Sequence, residues 1–533
     1  MRFDDVISEL GEFGRYQKRL YFLLCIVAVP DAMNTLGPIF TLLVPDHRCA
    51  VPGLDNDTYQ SQGSWHDDLV NRSIPWSDSD EAYSKCRLYK TDDHLTNETR
   101  KCDRWVYEKD PFRETFVTDE DLVCDRFSLR TYSNMIQMSG VLVGALVLAP
   151  LSDINRLYAL KGMELVGPSK RKYAGIVIEI FWCIGIFLHT GLAFGIREWR
   201  YLQVAISAGS VLLFSYWWLV PESPRWLINK GRLEEASDVI KKAAKVNKVT
   251  LSEKVSSLQE IELDGQGEKI WHMFTTPTLI IRSGIIFFNW LVASMTYYGL
   301  SLNVGSLSGD IFVNNALSAT VELSSYIFCI LALDVVGRKR LQIFSNLLGG
   351  VACVCTMFPV IFGGPKWINV VLALVGRFGA SAAFAVIYIY SAELFPTVMR
   401  NSGMGVSSVC ARIGGILAPF VGDLGSVLEG DIAVALPLIV FGGLCVTAGL
   451  LDLLLPETLN RKLPDTVEDA KNFGRSVELK ISKHFSSVRL QYSLNRKSSK
   501  NVYELEQIGA SGKKEKMSNG HINPTFTDID LNE

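Results

Sequence analysis

The sequence predicts an all-α membrane protein with about ten spans, and three observations carry that reading. Only 20% of the 533 residues are charged while 48% are hydrophobic, which is little charge for a soluble chain of this length. The apolar residues gather into ten stretches, each roughly long enough to cross a ~30 Å hydrocarbon core as a helix. A core helix of a soluble protein would be shorter and amphipathic. The net charge of −3 gives no basic excess for nucleic acid, and the apolar content argues against a disordered chain.

Residues 1–19 are polar, and the first stretch, 20–44, is long enough to stay in the bilayer as a span rather than act as a cleaved signal. A polar loop follows at 45–130. The region 131–220 carries stretches at 131–151, 173–196 and 201–220. A linker at 221–276 is rich in Lys and Arg, among them Arg232, Lys241 and Lys245. The region 277–455 carries six stretches, at 278–302, 311–333, 341–362, 367–390, 403–427 and 433–455. The tail, 456–533, is rich in Ser, Lys and Asn and reads as disordered. The excess of Lys and Arg places the linker and tail in the cytoplasm, and an even number of spans then puts both termini there. Within the linker, residues 231–249 have helical apolar spacing and predict an amphipathic helix packed on the cytoplasmic face.

That orientation puts the loop 45–130 outside, and two features agree. Asn56, Asn71 and Asn97 each begin an N-x-S/T glycosylation sequon. Cys49, Cys86, Cys102 and Cys124 are an even set in an oxidising compartment, which predicts two disulfides with three connectivities open. The other seven cysteines sit in or beside spans and read as reduced core residues.

The chain also repeats itself. Pro221-Glu222-Ser223-Pro224-Arg225 follows one span and Pro456-Glu457-Thr458 follows the last; Ser152-Asp153 is echoed by Asp334 in the loop holding Gly337, Arg338 and Lys339. A short basic loop with an acidic partner suits a latch between helices, since Asp pairs with Arg and Gly permits a tight turn. The alternative is a loop that only sets topology.

With the segments GMELVGP at 162–168, PESPRWL at 221–227, YYGLS at 297–301, DVVGRKR at 334–340 and SAELFPTVMRN at 391–401, the chain resembles the organic cation, carnitine and organic anion transporter family of the major facilitator superfamily. Invertebrate organic cation transporters are the members it resembles most. The resemblance implies a major facilitator fold of two six-helix halves with a cavity between them, alternating access, a multi-pass place in the plasma membrane and no cofactor. It also makes Asp153, Asp334, Gly337, Arg338, Lys339, Glu222, Arg225, Glu393 and Arg400 gating or loop-motif residues. One departure stands out. Asp153 is followed by eight residues and then Gly162, so the Gly-Arg-Lys of the family loop and two spans are absent. About ten helices, four plus six, replace twelve, and losing an even number keeps later spans in orientation. A splice form, an incomplete gene model and a reduced carrier all remain open.

Ionisable groups inside apolar spans are costly and mark cavities or partners, which selects Glu179, Glu322 and Arg412. Asp31, Arg282, Arg377, Glu393 and Asp423 are read as lying nearer span ends, as anchors or loop partners. The resemblance places a carboxylate at Glu322 near bound cations, and sets Arg at 412 where strict organic cation carriers have Asp. An Arg holds a carboxylate and repels a simple cation, so Glu179, Glu322 and Arg412 together suit a zwitterion. The alternative is a set of structural ion pairs. Trp290 and Tyr297 are seven residues apart and share a helix face with Tyr298 beside them; such rings bind quaternary ammonium by cation–π contact, unless they only pack. Tyr388 and Tyr390 are weaker candidates of the same kind.

Neither a dinucleotide fingerprint nor a phosphate loop is present, and the seven His show no metal-ligand spacing. The reading is therefore a carrier for small organic ions in the lipid bilayer, not an enzyme. Its competitors are an organic anion carrier, a truncated form that does not transport, and a glycosylated receptor.

Overall fold

The computed structural model describes residues 3–77, 82–90, 98–154, 167–252, 255, 276–396, 398–426, 431–461, 463–464 and 466–473. It is a helical bundle with a small disulfide-bonded loop domain at one end and basic segments at the other. The helices of the bundle are α2 (Arg15–Thr35, continued by α3, Pro38–Thr41), α6 (Phe127–Ile154), α7 (Pro168–Gly195), α8 (Trp199–Val211) and α9 (Tyr216–Leu219). The second half adds α12 (Pro277–Leu302), α13 (Ile311–Val336), α14 (Arg338–Cys355, continued by α15, Met357–Ile361), α16 (Lys366–Leu394), α17 (Arg400–Gly422) and α18 (Asp431–Leu451).

Among the described residues, eight helical segments are long and apolar enough to cross a membrane: Arg15–Thr41, Tyr173–Gly195, Pro277–Gly305, Ile311–Val336, Arg338–Ile361, Lys366–Leu394, Arg400–Gly425 and Ala435–Leu454. The apolar stretch at 131–151 falls within α6. The stretch at 201–220 is not one continuous α-helix: α8 tightens into a 3-10 turn at Leu212–Ser215 before α9. That segment holds Gly209, Ser210 and Ser215 followed by aromatic residues, all weaker helix formers than Ala or Leu.

Two glycines fix how neighbouring helices meet. Gly337 has φ +94°, a conformation other residues resist, and it lets α13 break and α14 start at once. A Cβ there would come within 2.6 Å of a Glu457 carboxylate oxygen. On α17, a Cβ at Gly414 would come within 2.2 Å of the Leu291 carbonyl, so α17 lies directly against the backbone of α12.

The loop domain is built from short antiparallel pairs. β1 (His47–Cys49) pairs with β6 (Trp105–Tyr107), β2 (Trp76–Ser77) with β3 (Ala82–Tyr83), and β4 (Arg87–Tyr89) with β5 (Thr99–Lys101). Disulfides Cys49–Cys102 and Cys86–Cys124 select one of the three connectivities and surround a core of Val51, Val70, Ile74 and Leu88. A buried polar knot completes it. Arg48 grips Asp57 with Nη1 at 3.0 Å and Nη2 at 2.7 Å. The Gln62 amide donates to His66 Nδ1, which leaves Nε2–H to donate to Asp57 at 2.9 Å. Burial alone would push the Asp57 carboxyl up, but Arg48, the Val51 amide and His66 together hold it below the usual carboxylate range. Asn56 and Asn71 are exposed on this domain, and Tyr83 donates to Asn71 Oδ1 at 2.5 Å; Asn97 lies outside the described residues.

At the basic end, the linker helix α11 (Leu233–Asn247) lays Ala236, Ile240, Ala243 and Ala244 against Val6, Ile7 and Leu10 of α1 (Phe3–Leu10) and Leu227 and Ile228 of α10 (Pro224–Asn229). It packs on protein, as its apolar spacing implies. Residues 256–275 and 474–533 lie outside the described residues.

Candidate functional site

Two groups of ionisable side chains lie inside the bundle, and they differ in access. The first is closed. Glu322 of α13 is fully buried, and its Oε1 accepts hydrogen bonds from Tyr297 at 2.8 Å and Tyr326 at 2.9 Å. Its Oε2 is 2.5 Å from Nη2 of Arg377 on α16. Arg377 also donates to the Tyr297 carbonyl at 3.0 Å and to Ser301 Oγ, and its guanidinium lies 4.2 Å from the centre of the Tyr297 ring. Every oxygen of the carboxylate is engaged, so Glu322 serves here as the counter-ion of Arg377. The placing of Arg377 at a span end is corrected: Arg377 stands near the middle of α16.

The second group is open. Asp31 of α2, Glu179 of α7, Tyr298 of α12, Tyr388 of α16 and Arg412 of α17 are each exposed or half-buried. Electrostatic reach links them: Asp31 feels Arg412, Glu179 feels Glu322 of the first group and Asp31, and Tyr298 and Tyr388 feel Asp31, Glu179 and Arg412. Among the described residues, Arg412 donates only to the carbonyl and hydroxyl of Ser408, one turn back on its own helix. It is not paired with Glu322 or Glu179 by a salt bridge, as the structural alternative required. Among the described residues, neither Asp31 nor Glu179 takes part in a hydrogen bond or a salt bridge. Asp31 is in the middle of its span beside Pro30, not at the end where the sequence reading set it.

Aromatic rings join the two groups. Trp290 is buried, donates to Ser391 Oγ at 2.8 Å and meets Tyr388 edge-on at 4.3 Å. Tyr297 meets Tyr298 edge-on at 5.2 Å and stacks on Phe384 at 5.6 Å. Phe384 also lies 5.5 Å from Tyr388, and Trp182 Nε1 donates to the Tyr297 hydroxyl at 2.6 Å. Phe384 and Trp182 carry no charge and sit in apolar stretches, so nothing in the sequence set them apart from packing residues. Tyr390 points elsewhere, donating to the Pro456 carbonyl at 2.8 Å.

The loop-motif residues gather at the basic end of the second half. Arg338 approaches Asp334 at 3.6 Å and Glu393 at 3.1 Å, and its backbone amide donates to Glu457 at 3.0 Å. Thr458 donates to Glu393 at 2.5 Å and Lys339 to the Leu453 carbonyl at 2.7 Å. The proline-glutamate segment after the last span is therefore a partner of this loop, which the sequence reading noted only as a repeat. Asp334 also accepts from Tyr173 of α7 at 3.1 Å, a bond between the halves. In the first half, Glu222 pairs with Arg232 at 3.2 Å and the Arg225 guanidinium lies over Phe3. Arg400 begins α17, and Asp153 lies in the last turn of α6, where side chains lie outside the described residues.

At the loop-domain end the halves meet through aromatic contacts. Phe40 packs on Phe112, Phe312 and His189, and the Arg197 guanidinium sits over Phe194 and Phe312. Asn315 donates to Thr190 at 2.8 Å, and Thr131 to Asp423 at 2.5 Å.

Residues 163–469 match the "Sugar (and other) transporter" family. The "Organic cation transporter protein" of Drosophila melanogaster is 35% identical, with 89% of this chain and 95% of that protein covered. Human "Organic cation/carnitine transporter 2" is 32% identical, covering 87% and 93%, and human "Solute carrier family 22 member 13" is 34% identical, covering 88% and 93%. Among solved structures, a D-xylose-proton symporter aligns over 86% of this chain and 88% of its own at 15% identity, with a TM-score of 0.45. The Drosophila alignment runs over 534 positions but takes up 89% of 533 residues, so about sixty positions have no counterpart here. The family match and the sequence relatives place the chain in the sugar (and other) transporter family of the major facilitator superfamily, as a homologue of organic cation and carnitine transporters.

Proposed function

We propose that the protein carries small organic ions across the plasma membrane by alternating access, and that its site favours zwitterions bearing an ammonium and a carboxylate. The observation that carries this is the open group: the Asp31 carboxylate lies within electrostatic reach of both the Glu179 carboxylate and the Arg412 guanidinium, and the Tyr298 and Tyr388 rings lie within reach of all three. A substrate ammonium meets Asp31, Glu179 and the ring faces of Tyr298 and Tyr388, while its carboxylate meets the fork of Arg412. The relatives' names, an organic cation transporter and an organic cation/carnitine transporter, support that substrate class. The loop domain faces outward with glycans on Asn56, Asn71 and Asn97, and the basic end faces the cytoplasm. On this orientation, the aromatic contacts around Phe40 and Phe312 close the outer side. Glu179→Gln and Asp31→Asn should each lower uptake of a carnitine-like zwitterion at equal surface expression; unchanged uptake in both would overturn the assignment.

A second reading has its own support. About sixty positions of the Drosophila relative find no residue here, room for two spans of ~20 residues and their connection. On α6, Ile136, Val143, Leu146 and Val147 are more than half exposed, and among the described residues nothing lies within 4 Å of where a Cβ would stand at Gly140 or Gly144. We infer that the missing spans would cover this face, and that without them the chain transports poorly. Restoring the two spans from a relative and comparing uptake at equal surface density tests this. Equal rates would show that the shorter bundle works.

A further inference from the structure

We propose that the basic corner where the end of α11 meets the start of α2 binds the headgroup of an anionic membrane lipid that carries several phosphates. Six cations form it. Arg15, Lys18 and Arg19 stand in the opening turns of α2. Lys241, Lys245 and Lys248 follow at intervals of four and three along one face of α11 and its last residue's cap. All six are exposed, and among the described residues none forms an ion pair. The acids of α11, Glu234, Glu235 and Asp238, lie in its other half, and Glu9 of α1 is engaged by the amide and hydroxyl of Ser252 at 3.2 and 3.0 Å.

One side chain fixes the two halves of the corner against each other. Asn247 Oδ1 accepts from the Tyr16 amide at 2.9 Å, and its Nδ2 donates to Gln17 Oε1 at 2.8 Å and to the Leu10 carbonyl at 3.0 Å. A Cβ at Gly14 would overlap the Asn247 carboxamide, so the helix ends are in direct contact. The apolar face of α11 is already used on α1 and α10, which leaves its lysines turned outward. The depth is also fixed. Arg15 opens the first membrane-crossing segment, so the corner lies where that helix leaves the hydrocarbon core. The start of α7, a second span, is tied to the same loop, the Gly167 amide donating to the Glu12 carbonyl at 2.9 Å.

The chemistry selects the partner. Clusters of Lys and Arg beside the cytoplasmic end of a span gain energy from anionic headgroups. Guanidinium groups grip phosphate with paired N–H donors, and ammonium groups meet it as point charges. A headgroup with a single charge reaches one helix end, whereas one with several phosphates spans both. A lipid, unlike a soluble polyphosphate, is already held at this depth by its acyl chains. The proposal rests on the orientation given above, with the basic end in the cytoplasm.

The test places the purified full chain in phosphatidylcholine nanodiscs. These expose both faces, so the measurement needs neither substrate nor a fixed orientation, and its failure leaves the transport reading standing. Fluorescent dioctanoyl phosphatidylinositol 4,5-bisphosphate should bind saturably, at least about tenfold more tightly than dioctanoyl phosphatidylserine or free inositol 1,4,5-trisphosphate. The triple variant Lys241→Gln, Lys245→Gln, Lys248→Gln should weaken binding on the order of 100-fold, about 1 kcal/mol for each charge removed. The triple variant Arg15→Gln, Lys18→Gln, Arg19→Gln should do the same, and Lys101→Gln in the loop domain should leave binding unchanged. No saturable binding to the unaltered chain would overturn the proposal, even if one variant fails to fold. So would binding that survives the triple variants. Equal affinity for phosphatidylserine would overturn it as attraction to any anionic surface, equal affinity for inositol trisphosphate as a site for a soluble polyphosphate, and equal affinity for a polyglutamate peptide as a protein-docking face.

Discussion

Glu322–Arg377 and the group of Asp31, Glu179 and Arg412 are made of the same residue types in the same bundle, yet they are put to opposite uses. In the first, an ion pair at 2.5 Å is wrapped by the hydroxyls of Tyr297 and Tyr326, with Glu322 fully buried. In the second, no salt bridge is closed, and the side chains keep part of their surface open. The contrast shows that a charge within a span does not by itself mark a binding residue. What matters is whether its bonding capacity is already used. The closed pair holds the wall, with Arg377 lying on the Tyr297 ring, and the open group is the one that meets substrate on the proposed function.

Breaking the closed pair should have the largest effect. Glu322→Gln or Arg377→Ala leaves a buried group without its partner, at a cost of about 3–5 kcal/mol. Surface expression and the unfolding temperature should fall in both. The exchange of the two residues, Glu322→Arg with Arg377→Glu, should recover part of the loss. A Glu322→Gln chain of full stability with lost binding would mean that Glu322 is a ligand after all.

The loop domain offers a second closed pair for comparison. Asp57→Asn should destabilise that domain by about 2 kcal/mol, because charge-assisted bonds to Arg48 and His66 are weakened. The pH dependence has a definite sign. The Asp57 carboxyl is held below its usual range in the folded state, so its contribution is present above about pH 4 and is lost as pH falls further. Proteolysis of the loop across that range should show a rise in acid that Asp57→Asn flattens. The same acid sensitivity in both chains would remove Asp57 from the account.

The aromatic wall should respond more gently. Phe384→Leu keeps volume but removes a ring face between Tyr297 and Tyr388. Binding of a quaternary ammonium should weaken by about 0.5–2 kcal/mol, with stability little changed. Equal weakening of an uncharged ligand of the same size would point to packing rather than cation–π contact.

Much of this was legible in the sequence, and its limits are instructive. Apolar length located the eight helical segments that are long and apolar enough to cross a membrane among the described residues, and the even cysteine set announced the loop domain. Trp290 and Tyr297, seven apart, do lie along one wall. Pairing was not legible. Glu322 and Arg377 are 55 residues apart on different helices, and only packing brings them together. Asp31 and Arg377 stand near the midpoints of their spans, a clue the sequence did offer and that reading them as end anchors overlooked. Phe384 and Trp182 gave no signal, since an aromatic residue in an apolar run is the ordinary filling of a helix interface. The partner of the basic loop, Glu457, was hidden for another reason: a repeated motif reports kinship between two segments, not which surface each one touches.

The central claim is that Arg412 selects substrate by its charge while Glu322 does not. The direct measurement is equilibrium binding of a tetraalkylammonium ion and of a carnitine-like zwitterion to the full chain and to its Arg412→Asp variant. A guanidinium ~5 Å from a bound ammonium opposes it, by on the order of 3 kcal/mol at an effective dielectric near 20 and less where water reaches the site. The account predicts that Arg412→Asp shifts the ratio of the two affinities at least several-fold toward the simple cation, with the zwitterion weakened. An unchanged ratio, or both affinities falling together with stability, would contradict it.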